Sequence, residues 1–443
     1  MKHIGLLLGL ILLSTGSMAQ AIPVKIEQGP EGWYLTRNGE PYYINGAGGS
    51  GYIDEAVEAG ANSLRTWAAG EAAEILDIAH EKGLSVMFGL WAGHERHGFD
   101  YDNEEMVAAQ LARFTDVVKK YKDHPAIALW GIGNEVDLFY SNTKVWNAIQ
   151  DIAAMVHRLD PNHPTTTATA GIDSFEVQFI KNVCKDIDIL SVNTYGEIHL
   201  VPENLKKWGW NGPWMISEWG PTGHWEVQKT KWGVPLEQTS QEKANLYTKR
   251  YTDYIKAYKG KCVGSYVFLW GQKQETTSTW YGVFSKNGER TETYDAIYKV
   301  WRGEAPETRA PRLDSVLLDG KIAKESIYLK AGDRYDAAAF TENFGASTEY
   351  IWEVVPESDD IKAGGDEEAE PEALYSLVKK KTGNTAIIQA PKNEGAYRLF
   401  LFAKNEHKKV AYANVPFYVM PTEGSEQEKF IQFKKRKLDP VYN

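Results

Sequence analysis

The sequence predicts an α/β chain, an eight-stranded parallel β/α barrel followed by a smaller antiparallel β-sandwich. Three observations lead there. Between residues 32 and 301, short apolar or β-branched runs alternate with stretches of helical periodicity, eight times over. Two of those runs end on a glutamate, Trp130-Gly-Ile-Gly-Asn134-Glu135 and Trp214-Met-Ile-Ser-Glu218-Trp219-Gly220. Beyond a Pro-rich break at 302–311 the alternation gives way to short strands, separated by turn residues, with no helical period. Strands of a parallel barrel are buried on both faces, so a polar side chain just past the apolar run lies at the carboxyl rim, where residues from different strands converge.

Taken in order, the chain opens on Lys2-His3, an unbroken apolar run over 4–13 and the small-residue pattern Ala19-Gln20-Ala21, which read as a cleaved signal peptide over residues 1–21. An apolar run of about ten residues is half of the roughly 20 needed to cross a bilayer. The expectation is an exported protein, periplasmic, cell-surface or extracellular, with no membrane span. The barrel is placed over 22–303, with strand candidates at 42–45, 63–66, 85–90, 127–132, 165–168, 189–193, 214–218 and 263–269. Between them lie apolar positions at three- and four-residue spacing, such as Ala72, Ile75, Leu76 and Ala79, then Val107, Leu111, Phe114, Val117 and Val118. A doubly wound open sheet uses the same alternation. A linker is placed at 304–312 and the sandwich at 313–421, with strands at 327–329, 335–340, 349–355, 385–389, 397–403 and 410–419. The acidic stretch 359–372 reads as solvated surface, a calcium loop being the weaker reading, and 422–443 as a charged tail.

Composition narrows the partners. A formal net charge of -11 over 443 residues argues against nucleic acid and disfavours an anionic polysaccharide. The two cysteines, Cys184 and Cys262, make no disulfide framework and read as reduced core thiols. Nothing in the sequence marks an oligomer, and a monomer is expected. Aromatic content is 12%, with 15 Trp and 24 Tyr. Most are core residues. Trp91, Trp219, Trp225, Trp232, Trp270 and Trp280 instead cluster just after predicted strands, where the rim would be.

Two rim carboxylates from facing strands are what glycosidic bond cleavage requires: one protonates the leaving oxygen, the other acts on the anomeric carbon or its water. Glu135 and Glu218 fit that pair. An ion pair or helix cap would explain one such glutamate. Two of them, on the fourth and seventh strands, with neighbours Asn134 and Ser217, are harder to explain that way.

The strings Gly133-Asn134-Glu135 and Ile216-Ser217-Glu218-Trp219-Gly220, with the order of the eight strands, resemble glycoside hydrolase clan A, whose members are retaining β-glycosidases on a TIM barrel. The resemblance covers about residues 32–301. It implies Glu135 as acid/base, Glu218 as nucleophile, Asn134 as a contact to the sugar 2-hydroxyl, Arg65 as support for the nucleophile, Tyr195 as the hydroxyl beside it, and Trp270 as the platform under the sugar. A neighbouring guanidinium favours an ionised carboxylate, whereas desolvation and a second carboxylate favour the protonated acid. Trp91, His94, Trp225 and Trp280 are expected to line the cleft. The plan of an exported barrel without an N-terminal sandwich and with an immunoglobulin-like C-terminal domain is similar to the family 158 endo-β-1,3-glucanases, which implies a β-glucan polysaccharide or oligosaccharide of the laminarin type as substrate. Galactanase, mannanase, exo-acting β-glycosidase and transglycosylase activities fit the same pair, and a non-catalytic glycan-binding surface protein is the competing class. No cofactor or metal is expected. His94-Glu-Arg-His97 lacks the four-residue helical spacing of a metalloprotease and a third ligand, and Gly46-Ala-Gly48-Gly49-Ser-Gly51 matches neither nucleotide fingerprint and reads as a tight turn admitting polysaccharide.

Overall fold

The computed structural model describes residues 20–342 and 348–421. The leader run at 4–13 and the charged tail at 422–443 lie outside the described residues. The chain begins with three short antiparallel strands, β1 (Val24–Gly29), β2 (Gly32–Arg37) and β3 (Glu40–Tyr42). Eight parallel strands follow: β4 (Ile44–Gly48), β5 (Ser63–Arg65), β6 (Ser85–Leu90), β7 (Ile127–Asn134), β8 (Thr165–Ala170), β9 (Ile189–Asn193), β10 (Trp214–Trp219) and β11 (Cys262–Val267). They close into a barrel, with β11 paired to β4. The open-sheet alternative is thereby excluded.

The β1–β3 sheet, which the sequence reading had absorbed into the barrel, lies at the amino end of the barrel. Its Val24 and Leu35 are fully buried against Ile44, Met87, Leu129, Ile189, Met215 and Val263 from six barrel strands. Above that apolar plug the interior is polar. Tyr266 Oη lies 2.9 Å from Ser63 Oγ, Ser85 Oγ donates to Ser63 Oγ at 2.9 Å, and Thr166 and Ser191 pair at 2.6 Å. A buried hydroxyl without a partner costs about 1–3 kcal/mol, so these pairs keep the centre of the barrel from being a liability. Gly46 belongs to this layer: a Cβ there would lie 2.1 Å from the Tyr266 ring. Gly46, Gly48 and Gly49 thus serve close packing, a Cβ at the latter two lying 2.7 Å from the Val267 carbonyl and 2.8 Å from the Trp270 carbonyl, whereas Gly51 has open space around it.

Eight α-helices surround the strands: α1 (Ile53–Ala59), α2 (Ala69–Glu81), α3 (Glu104–Tyr121), α4 (Lys144–Leu159), α5 (Ser174–Val183), α6 (Val201–Lys207), α7 (Ser240–Arg250) and α8 (Glu292–Arg302). Their starts are written locally. Asn103 accepts the Met106 N–H ahead of α3, and Thr239 and Glu242 form a capping box at α7. The predicted apolar stripes face inward, with Ile75, Leu76 and Ala79 buried on α2, and Phe114 and Val118 on α3. Cys184 and Cys262 are free and buried. Among the described residues no helix is long and apolar enough to cross a membrane.

After the barrel come β12 (Arg290–Thr291), β13 (Arg312–Leu318), β14 (Ile327–Lys330), β15 (Arg334–Glu342), β16 (Glu349–Pro356), β17 (Val378–Thr382), β18 (Thr385–Gln389), β19 (Gly395–Lys404) and β20 (Lys409–Met420). They form two sheets over one apolar core. One has the order β12-β20-β19-β16 with β14 on β20, the other β13-β15-β18-β17. Strand β12 precedes α8, so the barrel region itself supplies an edge of the C-terminal sheet.

A buried ionic network joins the two units. Lys243 on α7 donates to Glu237 at 2.5 Å and to the Thr279 carbonyl at 2.8 Å, and lies 3.3 Å from Tyr412 Oη on β20. Asn414 on β20 donates to Glu237 at 2.7 Å, and Arg398 on β19 donates to the Pro235 carbonyl at 2.9 Å. Removing one partner of a buried pair leaves the other charge uncompensated, so Glu237→Ala is expected to lower the unfolding free energy by about 3–5 kcal/mol in a urea titration followed by Trp fluorescence. A loss below about 1 kcal/mol, the range of a surface pair, would show that this network does not secure the interface.

Candidate active site

The carboxyl rim gathers residues from seven of the eight strands or the loops that follow them. Arg65 ends β5 and is 2% exposed. Its Nη1 donates to Glu218 Oε1 at 2.9 Å and to the Ser217 carbonyl at 2.6 Å, and its Nη2 donates to Asn134 Oδ1 at 2.7 Å. Glu218, on β10, also receives the Trp67 indole N–H at 2.8 Å on Oε1 and the Tyr195 hydroxyl at 3.2 Å on Oε2. Burial, followed by the Glu218 charge, pushes the Tyr195 hydroxyl well above its usual range, so it stays a donor. Every side-chain hydrogen bond to the Glu218 carboxylate thus comes from a donor, and one of those donors is a cation.

Glu135 sits one residue past β7 with its backbone in the left-handed region, φ 49°. Its N–H donates to the Ala168 carbonyl on β8 at 2.8 Å, which helps hold that conformation. The environment of its carboxyl is the opposite of Glu218's. It receives one side-chain hydrogen bond, from Asn193 Nδ2 at 2.9 Å, and faces other carboxylates. Burial first, then the negative charges of Glu218 and Asp137, push it up to about 8. Asp137 is itself pushed up to about 7 by burial, partly offset by the Ala170 N–H it accepts.

Asn193, at the end of β9, links the two halves. It donates to Asn134 Oδ1 at 3.0 Å as well as to Glu135, and its Oδ1 accepts from Ser217 Oγ at 2.7 Å and Arg65 Nη1 at 3.3 Å. Sequence reasoning missed Asn193 and Trp67. Both lie where the rim argument would look, Asn193 two residues before Tyr195 and Trp67 two residues after Arg65.

Above the pair opens a cavity of about 630 Å³ lined by both glutamates, Asn134, Tyr195, Trp67, Trp91, Trp225, Phe139 and Phe268. Trp91 and Trp225 take their expected places, and Trp225 is 55% exposed. Phe139, 70% exposed, was not foreseen.

Three expected cleft residues lie elsewhere. Trp270 is 1% exposed and packs among Trp301, Phe284 and Tyr294, with its indole N–H on the Tyr52 carbonyl at 3.0 Å. The eighth barrel strand stops at Val267, two residues earlier than its apolar run, and the Trp270 N–H then bonds to the Gly48 carbonyl at 2.9 Å. That turn sends the Trp270 ring into the core and leaves Phe268 at the cleft. Trp280, 2% exposed, lies behind Tyr195 with Tyr281, its indole bonded to the Thr222 carbonyl. His94, 2% exposed, lies behind the site rather than in it: its Nε2 is 2.6 Å from the Asn134 carbonyl, and burial lowers its basicity. The neutral ring donates through that nitrogen and fixes the backbone next to Glu135. Of the other rim tryptophans, Trp219 is fully buried and Trp232 packs on Tyr328 and Tyr418 of the C-terminal sheets. The acidic stretch 359–372 is exposed over most of its length, as expected, but part of it turns toward the barrel. Lys362 to Gly365 line the catalytic cavity, and Glu368 is 5% exposed. Among the described residues no group of His, Cys, Asp and Glu could hold a metal ion.

A closed parallel barrel carrying two unequal glutamates at its carboxyl rim defines a glycoside hydrolase of the clan A type. Residues 56–292 match the family described as glycosyl hydrolases family 2, TIM barrel domain, and the chain belongs to that family. It is 24% identical over 251 residues to a β-glucuronidase of Paenibacillus borealis, covering 51% of this chain and 41% of that enzyme. It is 36% identical over 91 residues to mannan endo-1,4-β-mannosidase F of Aspergillus clavatus, 20% of each chain. Among solved structures, a β-D-glucuronidase of Dictyoglomus thermophilum matches with TM-score 0.50 at 19% identity, over 65% of this chain and 54% of that one. The chain thus spans about half the length, or less, of these β-glucuronidase relatives. The glucanases of family 158 are not among the relatives named here.

The electrostatics of the pair give a direct test. The Glu135 carboxyl is expected to titrate near pH 8. Because the Glu218 charge raises it, Glu218→Gln should move that titration downward, read by ¹³C NMR of protein labelled at glutamate Cδ. An upward or absent shift would show that the two carboxyls are not coupled.

Proposed function

We propose that this chain is a retaining β-glycosidase that cleaves neutral β-linked hexose polymers or oligosaccharides by double displacement. The observation that carries the reading is the inequality of the two glutamates. Glu218, which accepts hydrogen bonds from Trp67, Tyr195 and the Arg65 cation, attacks the anomeric carbon as a carboxylate. Glu135, a protonated acid through the neutral range, gives its proton to the leaving oxygen, and the glycosidic C–O bond breaks as the glycosyl ester forms. Glu135, now a carboxylate, takes a proton from the incoming water, whose oxygen displaces Glu218. Asn134 has its Oδ1 occupied by Arg65 and Asn193, which reserves its amide donors for a sugar hydroxyl. Trp67 and Phe268 take the platform role first assigned to Trp270, with Trp91 and Trp225 as further stacking surfaces.

Substrate charge follows from the lining. Four glutamates besides the protonated Glu135, namely Glu197, Glu218, Glu226 and Glu275, face the cavity against two lysines. Both lysines are already engaged. Lys273 pairs with Glu275 at 2.7 Å, and Lys362 bonds to the Glu367 carbonyl at 2.5 Å and lies 3.3 Å from Asp360. That supports an uncharged sugar over the glucuronide of the β-glucuronidase relatives. Within the neutral polymers, the barrel-plus-sheets plan supports β-1,3-glucan, and the partial likeness to mannan endo-1,4-β-mannosidases supports β-1,4-mannan. The leader run supports export.

Incubation with laminarin, β-1,4-mannan, β-1,4-galactan and an aryl β-glucuronide, followed by reducing-end assay, is expected to show release from a neutral polymer and little from the glucuronide. Glu218→Gln should lower turnover by about 10⁴-fold or more while the circular dichroism spectrum is kept. Wild-type product should appear first as the β-anomer by ¹H NMR, and kcat/KM should fall as pH rises through about 8, where Glu135 loses its proton. An active Gln variant or an inverted product would sink the mechanism, and a preference for the glucuronide would sink the neutral-substrate reading.

A further inference from the structure

The loop between β16 and β17 leaves the C-terminal sheets and crosses onto the mouth of the barrel, where three anchors hold it. Asp366 Oδ2 pairs with Arg96 Nη1 at 2.8 Å and lies 3.1 Å from His97 Nε2, both residues following β6. Lys273, following β11, donates to the Gly365 carbonyl at 3.0 Å. Glu368 accepts the Thr276 N–H at 2.6 Å through Oε2 and, through Oε1, the Lys362 N–H of its own loop at 3.0 Å. Strands β6 and β11 stand three places apart around the barrel, so the loop ties together rim segments that are not neighbours. Lys362, Ala363, Gly364 and Gly365, just ahead of Asp366, line the same cavity as Glu135 and Glu218.

The contact requires glycine. Gly364 has φ 65°, and a Cβ there would lie 2.7 Å from Arg96 Nη2 and 2.8 Å from Leu138 Cδ2. Gly365 has φ 72°, and its Cβ would meet Lys273 Nζ at 3.2 Å. What faces the cleft at these two positions is bare peptide, next to the Lys273–Glu275 pair. Peptide edges and a fixed amine–carboxylate pair are suited to sugar hydroxyls, which both donate and accept.

Resting on the glycosidase reading, we infer that residues 362–366 of the C-terminal unit form the wall of a sugar subsite, one that binds a neutral sugar unit removed from the bond being cleaved. The C-terminal sheets therefore select substrate as well as pack on the barrel. A remote subsite adds transition-state binding only when the substrate is long enough to reach it.

The measurement is the ratio of kcat/KM for the β-linked hexasaccharide of whichever polymer the wild type cleaves to that for the matching aryl β-monoglycoside. Asp366→Ala, which frees the wall from Arg96 and His97, is expected to lower the ratio about tenfold, the equivalent of one or two hydrogen bonds to sugar. Gly364→Val, which pushes the wall off Arg96, and Lys273→Met, which releases the other side, should lower it in the same direction, so the test stands even if one variant folds poorly. Asp366→Glu, which can remake the ion pair, should recover most of the loss. Glu367→Ala, on the exposed outer side of the loop, is the control. Ratios within about twofold of wild type for all three loosening variants would overturn the subsite alone. A wild type that cleaves no glycan would overturn the catalytic reading and this one with it.

Discussion

A guanidinium buried inside the rim of the barrel is the constraint on which the site depends. Arg65 is 2% exposed, so its guanidinium donors must meet acceptors or the fold loses several kcal/mol. Those acceptors are Glu218, the Ser217 carbonyl, Asn134 and Asn193, drawn from β7, β9 and β10. The planar fork fixes all of them at once. Asn193, held by the cation and by Ser217, is the group that reaches Glu135, so the Glu135 carboxyl is positioned through the same network that compensates Glu218. Charge balance and catalytic geometry are one arrangement here.

The rest of the barrel makes that arrangement rigid. An apolar plug closes the amino end, a layer of paired hydroxyls fills the centre, and the helices seal the outside. Reactive groups are thereby confined to the carboxyl rim, where loops can add aromatics without disturbing the strands. The two glutamates differ because that rim is uneven: cation and donors gather around Glu218, whereas Glu135 has one side-chain donor and faces the charges of Glu218 and Asp137.

Much of this was written plainly in the sequence. Parallel barrel strands are buried on both faces, so they appear as unbroken apolar or β-branched runs, and each of the eight was placed within a few residues. Glu135 and Glu218 stood out for the same reason, as charges where apolar runs stop. The errors share one physical origin. A strand ends where its hydrogen-bonded partner ends, and that is a property of the neighbouring chain. Because β11 stops at Val267, Trp270 turns into the core, and nothing local distinguishes it from a cleft tryptophan. Trp67, two residues beyond a strand of only three, was missed for the converse reason. Segment 359–372 is mostly exposed, as its acids suggested, but Asp366 and Glu368 are held by residues some 90 to 270 positions away, Arg96, His97 and Thr276, which no local pattern shows. The β1–β3 sheet was overlooked because its value lies in plugging a barrel end that forms from distant strands.

Strand β12 has a consequence for how such proteins diversify. It is part of the chain that runs from the barrel into α8, yet it is hydrogen-bonded into the C-terminal sheet beside β20. The boundary between the two units therefore does not coincide with the Pro-rich connector at 302–311. A recombination event cutting there would leave one partner with an unpaired edge and the other with a missing one. The C-terminal unit is therefore not a free cassette in this chain: the segment entering α8 completes its sheet, and a clean excision has to lie ahead of β12.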